Sequence, residues 1–163
     1  MLGTARRKRR EAAEVLYSRI VSAARSPVFY AAYGVPDTPT GRFEMIALHA
    51  FIVVRRLKGR GEGDLAQALF NLFFDDMDRN LREMGVGDLG VGRRVKAMAQ
   101  QFYGHALFYE RGLAGGDLEG AIARNVFGGQ TMPGAAALAR YLRAADREIS
   151  DVVAFPDAQE FVP

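Results

Sequence analysis

Phe43-Glu44-Met45-Ile46-Ala47-Leu48-His49-Ala50-Phe51-Ile52-Val53-Val54-Arg55-Arg56-Leu57-Lys58 is the stretch on which the fold turns. At helical spacing, Phe43, Ile46, Ala47, Ala50, Val54 and Leu57 share one face, and Met45, Leu48 and Ile52 cover another. A helix that is apolar on most sides belongs at the centre of a bundle. Its best apolar run, Met45 to Val54, is interrupted by His49 and falls well short of the roughly 20 residues a membrane span needs. The helix is predicted over 41–58, with Asp37 or Thr40 as its N-cap. Its last turns carry Arg55, Arg56 and Lys58, cations suited to a helix C-terminus. Gly59-Arg60-Gly61-Glu62-Gly63 is the turn that follows.

Helical periodicity extends outward in both directions. Upstream, residues 9–25 read as a helix with Val15, Leu16, Ile20 and Val21 on its apolar side, ended by Pro27. Residues 28–33 read as one or two helical turns rich in aromatics, before a loop stiffened by Pro36 and Pro39. Downstream, Asp64 is predicted to cap a helix to about Met84, with Leu65, Leu69, Leu72, Phe73, Met77 and Leu81 as its stripe. A helix over about 91–114 presents Val91, Val95, Met98, Phe102, Ala106, Tyr109 and Leu113. Asp117 caps a shorter helix to about Phe127, and a last helix spans 133–148 with Pro133 in its first turn. No segment alternates as a strand would. The predicted fold is all-α, a single-domain helical bundle of about six helices. A basic N-terminal arm (1–10) precedes the helical domain (11–149), and an acidic C-terminal tail (150–163) follows it.

Composition excludes several chemistries. There is no Cys, so disulfides, thiolate metal sites and cysteine nucleophiles are ruled out. His49 and His105 are the two histidines, no Ser sits in G-x-S-x-G, and H-E-x-x-H does not occur. The balance leans away from hydrolase chemistry and toward binding, with no catalytic residue, metal site or cofactor expected.

Charge is unevenly spread. Arg6, Arg7, Lys8, Arg9 and Arg10 are consecutive, whereas Glu148, Asp151, Asp157 and Glu160 mark the far end without any Lys or Arg. A cationic run of this kind suits RNA, a ribosome or acidic lipid, or else is simply a solvated terminus. Arg55, Arg56, Lys58 and Arg60 form a second basic group.

Four motifs admit a functional and a plain reading. Gly85-Val86-Gly87-Asp88-Leu89-Gly90 spells the dinucleotide fingerprint. That motif needs a preceding strand, and a helix precedes it here, so it reads as an interhelical turn. Asp75, Asp76 and Asp78 could hold Mg²⁺ to a diphosphate, as in helical isoprenoid enzymes, or could pair with Arg79 and Arg82. His49 and His105 read as core histidines with satisfied hydrogen bonds. Phe29, Tyr30 and Tyr33, with Phe70 and Phe74, exceed what the core stripes require. They read either as a partner-binding apolar face or as packing for the 28–33 segment.

Several blocks carry a family resemblance: Asp37-Thr38 with Gly41-Arg42-Phe43-Glu44, Leu48-His49, Leu65-Ala66-Gln67-Ala68-Leu69-Phe70, Asp76-Met77-Asp78, Leu81-Arg82-Glu83-Met84-Gly85-Val86-Gly87-Asp88-Leu89, Met98-Ala99, Phe102-Tyr103-Gly104 and Arg124-Asn125. Over roughly 26–127 the chain resembles the ubiquinol–cytochrome c chaperone family, assembly factors of the respiratory cytochrome bc1 complex. It departs at His105, where the pattern leads one to expect Arg. The Ala/Gly/Arg-rich composition, and the lack of a long targeting extension before the block, suit a bacterial member.

The resemblance implies a non-enzymatic chaperone that binds newly made cytochrome b. It would work in the bacterial cytoplasm at the periphery of the inner membrane, or on the matrix side in a mitochondrion. Mitochondrial members work with a small helical co-chaperone near the ribosome exit, and whether a bacterial member has one stays open. The basic residues would then face ribosome or anionic membrane, with DNA not among the partners. The aromatic face would take an apolar client helix. Arg42, Glu44, His49, Asp76, Asp78, Arg82, Glu83, Asp88, Phe102 and Tyr103 are signature positions rather than catalytic ones. The competing reading is a small helical isoprenoid- or quinone-handling protein built on Asp75, Asp76 and Asp78.

Overall fold

Every residue from Phe43 to Val54 is buried, so the central helix is enclosed on all sides. A computed structural model of the chain describes residues 1–148 and 154–163. It contains α1 (Leu2–Ala24), α2 (Pro27–Ala31), α3 (Pro39–Gly59), α4 (Gly63–Glu83), α5 (Asp88–Leu113), α6 (Leu118–Val126), α7 (Pro133–Glu148) and a terminal 3-10 turn (Ala158–Phe161). The architecture is all-α and single-domain. The helix α3 lies against α1, α4, α5, α6 and α7.

Side-chain pairs set the helix directions. Arg9 meets Asp64 and Tyr17 meets Asp76, so α1 runs parallel to α4. The tight turn at Gly61 (φ 74°) reverses the chain between α3 and α4. Glu44 with His105 and Arg55 with Glu110 make α3 and α5 parallel. His49 with Tyr141 and Arg55 with Asp146 do the same for α3 and α7. The N-terminus of α1 and the C-terminus of α3 therefore share one end of the bundle.

Some expected boundaries shift. The first helix begins at Leu2 rather than 9, so residues 2–10 continue α1 instead of forming a separate strand of chain. Nothing between Leu2 and Pro27 breaks a helix, and Arg, Lys and Ala are good helix formers. Thr38, not Asp37 or Thr40, caps α3 by accepting from the Gly41 amide. Asp37 pairs with Arg42 instead, at 2.7 Å. Asp64 lies in the first turn of α4 without capping it, whereas Asp117 caps α6 as expected. Of the acidic tail, Asp151 lies outside the described residues. The part from Phe155 onward is docked on the bundle, with Ala158 buried.

One close approach explains a glycine. A Cβ on Gly134 would sit 1.8 Å from the Tyr33 carbonyl oxygen, so the start of α7 can touch the α2 segment only without a side chain there.

Candidate functional site

Two aromatic clusters stand where the sequence suggested one surface. Phe29 and Tyr33 are 1% exposed and face α3, α7 and the C-terminal segment. Phe70 is 5% exposed and packs edge-on against Phe102 of α5, with Tyr103 also beside it. These three are core residues, and the expectation that they line an exposed groove is corrected. Phe70 lies off the Leu69/Phe73 stripe, but α5 covers that flank. Tyr30 and Phe74 are half-buried. The Tyr30 hydroxyl donates to the Ala24 carbonyl, and Phe74 stacks parallel to Phe70 at 6.1 Å.

One exposed apolar surface lies further along α5, apart from Val15 on α1 and Met84 and Leu89 at the α4–α5 turn. Tyr103 is 54% exposed and Leu107 50%, one turn apart. They stand roughly 100° or more around the helix from the Phe102/Ala106/Tyr109 stripe. Tyr103 and Leu107 form a small exposed apolar patch on α5, and Tyr103 lies 5.6 Å from the Phe70 ring. Phe108, on the other flank, is also exposed (42%), with the Arg124 guanidinium 5.2 Å from its ring centre. The spacing of Tyr103 and Leu107 off the core stripe was the available signal for this patch.

The basic groups converge at one end of the bundle. Residues 1–12 are exposed, so the first three turns of α1 stand clear of the core. Arg7 and Arg10 pair with Glu11 and Glu14, and Arg9 with Asp64, all at exposed positions where such pairs contribute little. Arg6 and Lys8 have no ion pair among the described residues. The second group is not a free patch. Arg55 is half-buried between Glu110 (2.6 Å) and Asp146 (3.0 Å), and these carboxylates raise its already high pKa against the opposing effect of burial. Arg56 donates to the Asp146 carbonyl, Lys58 lies over the Phe70 ring at 5.9 Å, and Arg60 pairs with Glu62. Arg55 thus ties α3 to α5 and α7.

Several signature positions prove to be structural ties. His49 is fully buried. Its Nδ1–H donates to the Met45 carbonyl (2.7 Å) and its Nε2 accepts from the Tyr141 hydroxyl (2.9 Å). Burial pushes its pKa down to about 4, with the Met45 bond opposing that shift. Glu44, 1% exposed, is held by the Gln101 amide and by His105 Nδ1 at 3.0 Å. This network joins α3 to α5 and places His105, half-buried, against a carboxylate that its sequence neighbours do not announce. Tyr109 Oη and Asn125 Nδ2, also buried, face each other and have no further partner among the described residues. Phe102 is buried in the α4–α5 seam.

The aspartate cluster is largely engaged. Asp76 accepts from the Tyr17 hydroxyl at 2.5 Å and lies near Arg79, and Asp78 pairs with Arg82 at 2.7 Å. Arg82 also bonds Asp88, bridging the α4–α5 turn at the Gly85–Gly90 motif. Asp75 and Glu83 are exposed. Gly85 (φ 86°) follows the end of α4, so the glycine motif is an interhelical turn. No group of three or more His, Asp or Glu among the described residues is arranged to hold a metal.

The profile of the Ubiquinol-cytochrome C chaperone family matches residues 31–154. The chain belongs to the ubiquinol–cytochrome c chaperone family. The match runs from the α2 segment through α7. The crystal structure of the Cbp3 homolog from Brucella abortus superposes with a TM-score of 0.85 at 38% identity, covering 99% of this chain and 98% of that one. No curated protein matches the chain. Similarity to the Brucella abortus Cbp3 homolog spans both the exposed start of α1 and the docked C-terminal segment. Among the described residues, no helix of this family member is long and apolar enough to cross a membrane.

Proposed function

We propose that this chain is a non-enzymatic assembly chaperone that binds newly made cytochrome b and helps it enter the cytochrome bc1 complex. The observation that carries the reading is family membership over most of the chain, joined to an exposed apolar patch on α5. Tyr103 and Leu107 offer a transmembrane client helix apolar area before it finds its own partners. Burial there contributes roughly 25 cal/mol per Å² of apolar surface, a contact that salt does not screen.

The projecting start of α1 faces an anionic surface, ribosomal or membrane. Each cation held near an anionic bilayer contributes on the order of 1 kcal/mol, and salt screens it. In this reading the protein works in the cytoplasm, peripheral to the inner membrane.

The test is client cross-linking together with co-sedimentation with membranes and with ribosomes across a salt series. Arg6–Arg10 replaced by Gln should weaken sedimentation most at low salt and leave client cross-linking in place. Tyr103→Asp with Leu107→Asp should abolish cross-linking and leave the salt-sensitive association. If the Asp variant stays folded and captures cytochrome b as well as the parent does, the client surface is wrongly placed.

A further inference from the structure

Residues 154–163 lie across the bundle. Four contacts fix this segment. The Phe155 ring stands edge-on to the His49 imidazole at 4.9 Å. The Tyr33 hydroxyl donates to the Ala158 carbonyl at 2.6 Å, in a buried position. The Phe161 ring meets Tyr141 edge-on at 6.0 Å, and Arg140 donates to the Phe161 carbonyl at 3.3 Å. Two of the four contacts address backbone carbonyls, which any extended peptide offers. The other two address aromatic rings at positions 155 and 161, six residues apart.

The walls come from four separate parts of the chain: α1, the α2 segment, α3 and α7. Arg140 and Arg19 stand on the bundle side, while Asp157 and Glu160 belong to the segment. The segment does not fill its groove. An open pocket of about 440 Å³ remains beside it, lined by Arg19, Ser22, Ser26, Phe29 and Tyr141 as well as by Phe155 and Asp157. That volume falls within the range of small-ligand sites, roughly 300–1,000 Å³.

We propose that this groove is a peptide-binding site, that Phe155–Phe161 occupies it in the resting chain, and that an extended client segment with two aromatic side chains about as far apart takes its place. The occupant's class follows from the contacts: carbonyls for Tyr33 and Arg140, and rings for His49 and Tyr141. The proposal deepens the chaperone reading by naming a second kind of client contact, extended rather than helical. A tethered segment presents itself at effective concentrations in the mM range, so the groove is closed to weak peptides and opens to a better-matched one.

The probe is a labelled peptide with the sequence of Ala154–Pro163, added to the full chain and followed by fluorescence anisotropy. The parent chain should bind it weakly. Phe155→Ser with Phe161→Ser in the full chain should bind it at least ten-fold more tightly. Adding Tyr33→Phe and Arg140→Ala to that variant should cost most of the gain. A peptide with both Phe replaced by Ser should not bind. Equal binding by parent and opened variant, or binding of the Ser peptide, overturns the proposal.

Should the opened variant lose its helical circular dichroism, hydrogen exchange on the parent chain decides instead. Excess unlabelled peptide should speed exchange at the amides of Gln159–Phe161, and unchanged rates at high peptide concentration overturn the displacement. Neither readout involves cytochrome b or the α5 patch, so failure here is separable from failure of the chaperone reading.

Discussion

The Tyr141 hydroxyl donates to His49 Nε2 at 2.9 Å, joining α7 to the enclosed face of α3. The bond fixes the tautomer, because Nδ1–H is already committed to the Met45 carbonyl. Removing the hydroxyl leaves a buried acceptor unpaired. Tyr141→Phe should therefore destabilise the protein by about 1–3 kcal/mol, read from urea unfolding at pH 7. A change within error would mean that the ring packing alone holds α7.

The same histidine sets a pH dependence. His49 is neutral in the folded state down to about pH 4, whereas the unfolded chain takes up a proton near 6.5. The unfolded state binds more protons in between, so stability falls as pH drops from about 6.5 to 4 and levels off below. The loss from this group alone is on the order of 3 kcal/mol, from 1.36 kcal/mol per pKa unit. Ring signals of the two histidines separate the cases. A His49 resonance that titrates near 6.5 in folded protein would contradict the buried neutral assignment.

His105 and Gln101 are the partners of the buried Glu44 carboxylate. His105→Ala leaves that carboxylate with one partner and should cost about 1–3 kcal/mol. His105→Arg supplies a permanent cation in the same place and should retain most of the stability. Thermal melts of the two variants side by side are the check. Equal losses would show that the position is sensitive to shape and not to charge.

Aromatic positions on α4 and α5 should divide by burial. Phe70→Asp puts a charge into a core site 5% exposed and should unfold the domain or cost more than about 3 kcal/mol. Leu107→Asp, at a site 50% exposed, should stay within about 0.5 kcal/mol of the parent. A folded Phe70→Asp variant would reopen the idea of a groove between these helices.

Gly134→Ala drives a methyl group into the Tyr33 carbonyl, which lies 1.8 Å from the ideal Cβ position. The backbones of α7 and the α2 segment must separate, at a cost of about 1–3 kcal/mol. The Tyr33–Ala158 bond should weaken with it. Faster hydrogen exchange in the terminal segment than in α4 would report that coupling, and a uniform change would deny it.

What the sequence determined by itself is the helical content, the central place of α3, the glycine turns and the family. The first three depend on periodicity and on local backbone preference, which a short window carries in full, and the family rests on the motif blocks, above all Leu81–Leu89. Residues 43–57 announce an enclosed helix because apolar side chains recur on most of its faces. What it left open is which flank of each outer helix would be covered. Phe70 and Tyr103 are both aromatics off a core stripe, yet one is buried and the other exposed. The difference is set by where α5 lies against α4.

Only the tertiary structure pairs Glu44 with His105, 61 residues away, and Arg55 with Asp146, 91 residues away. It likewise brings the C-terminal Phe155 onto His49. Such pairs are chosen by packing geometry between helices far apart in the chain, and no local preference encodes them. A charge run or an aromatic run thus shows what a surface could bind, while the packing of neighbouring helices decides whether that surface is there.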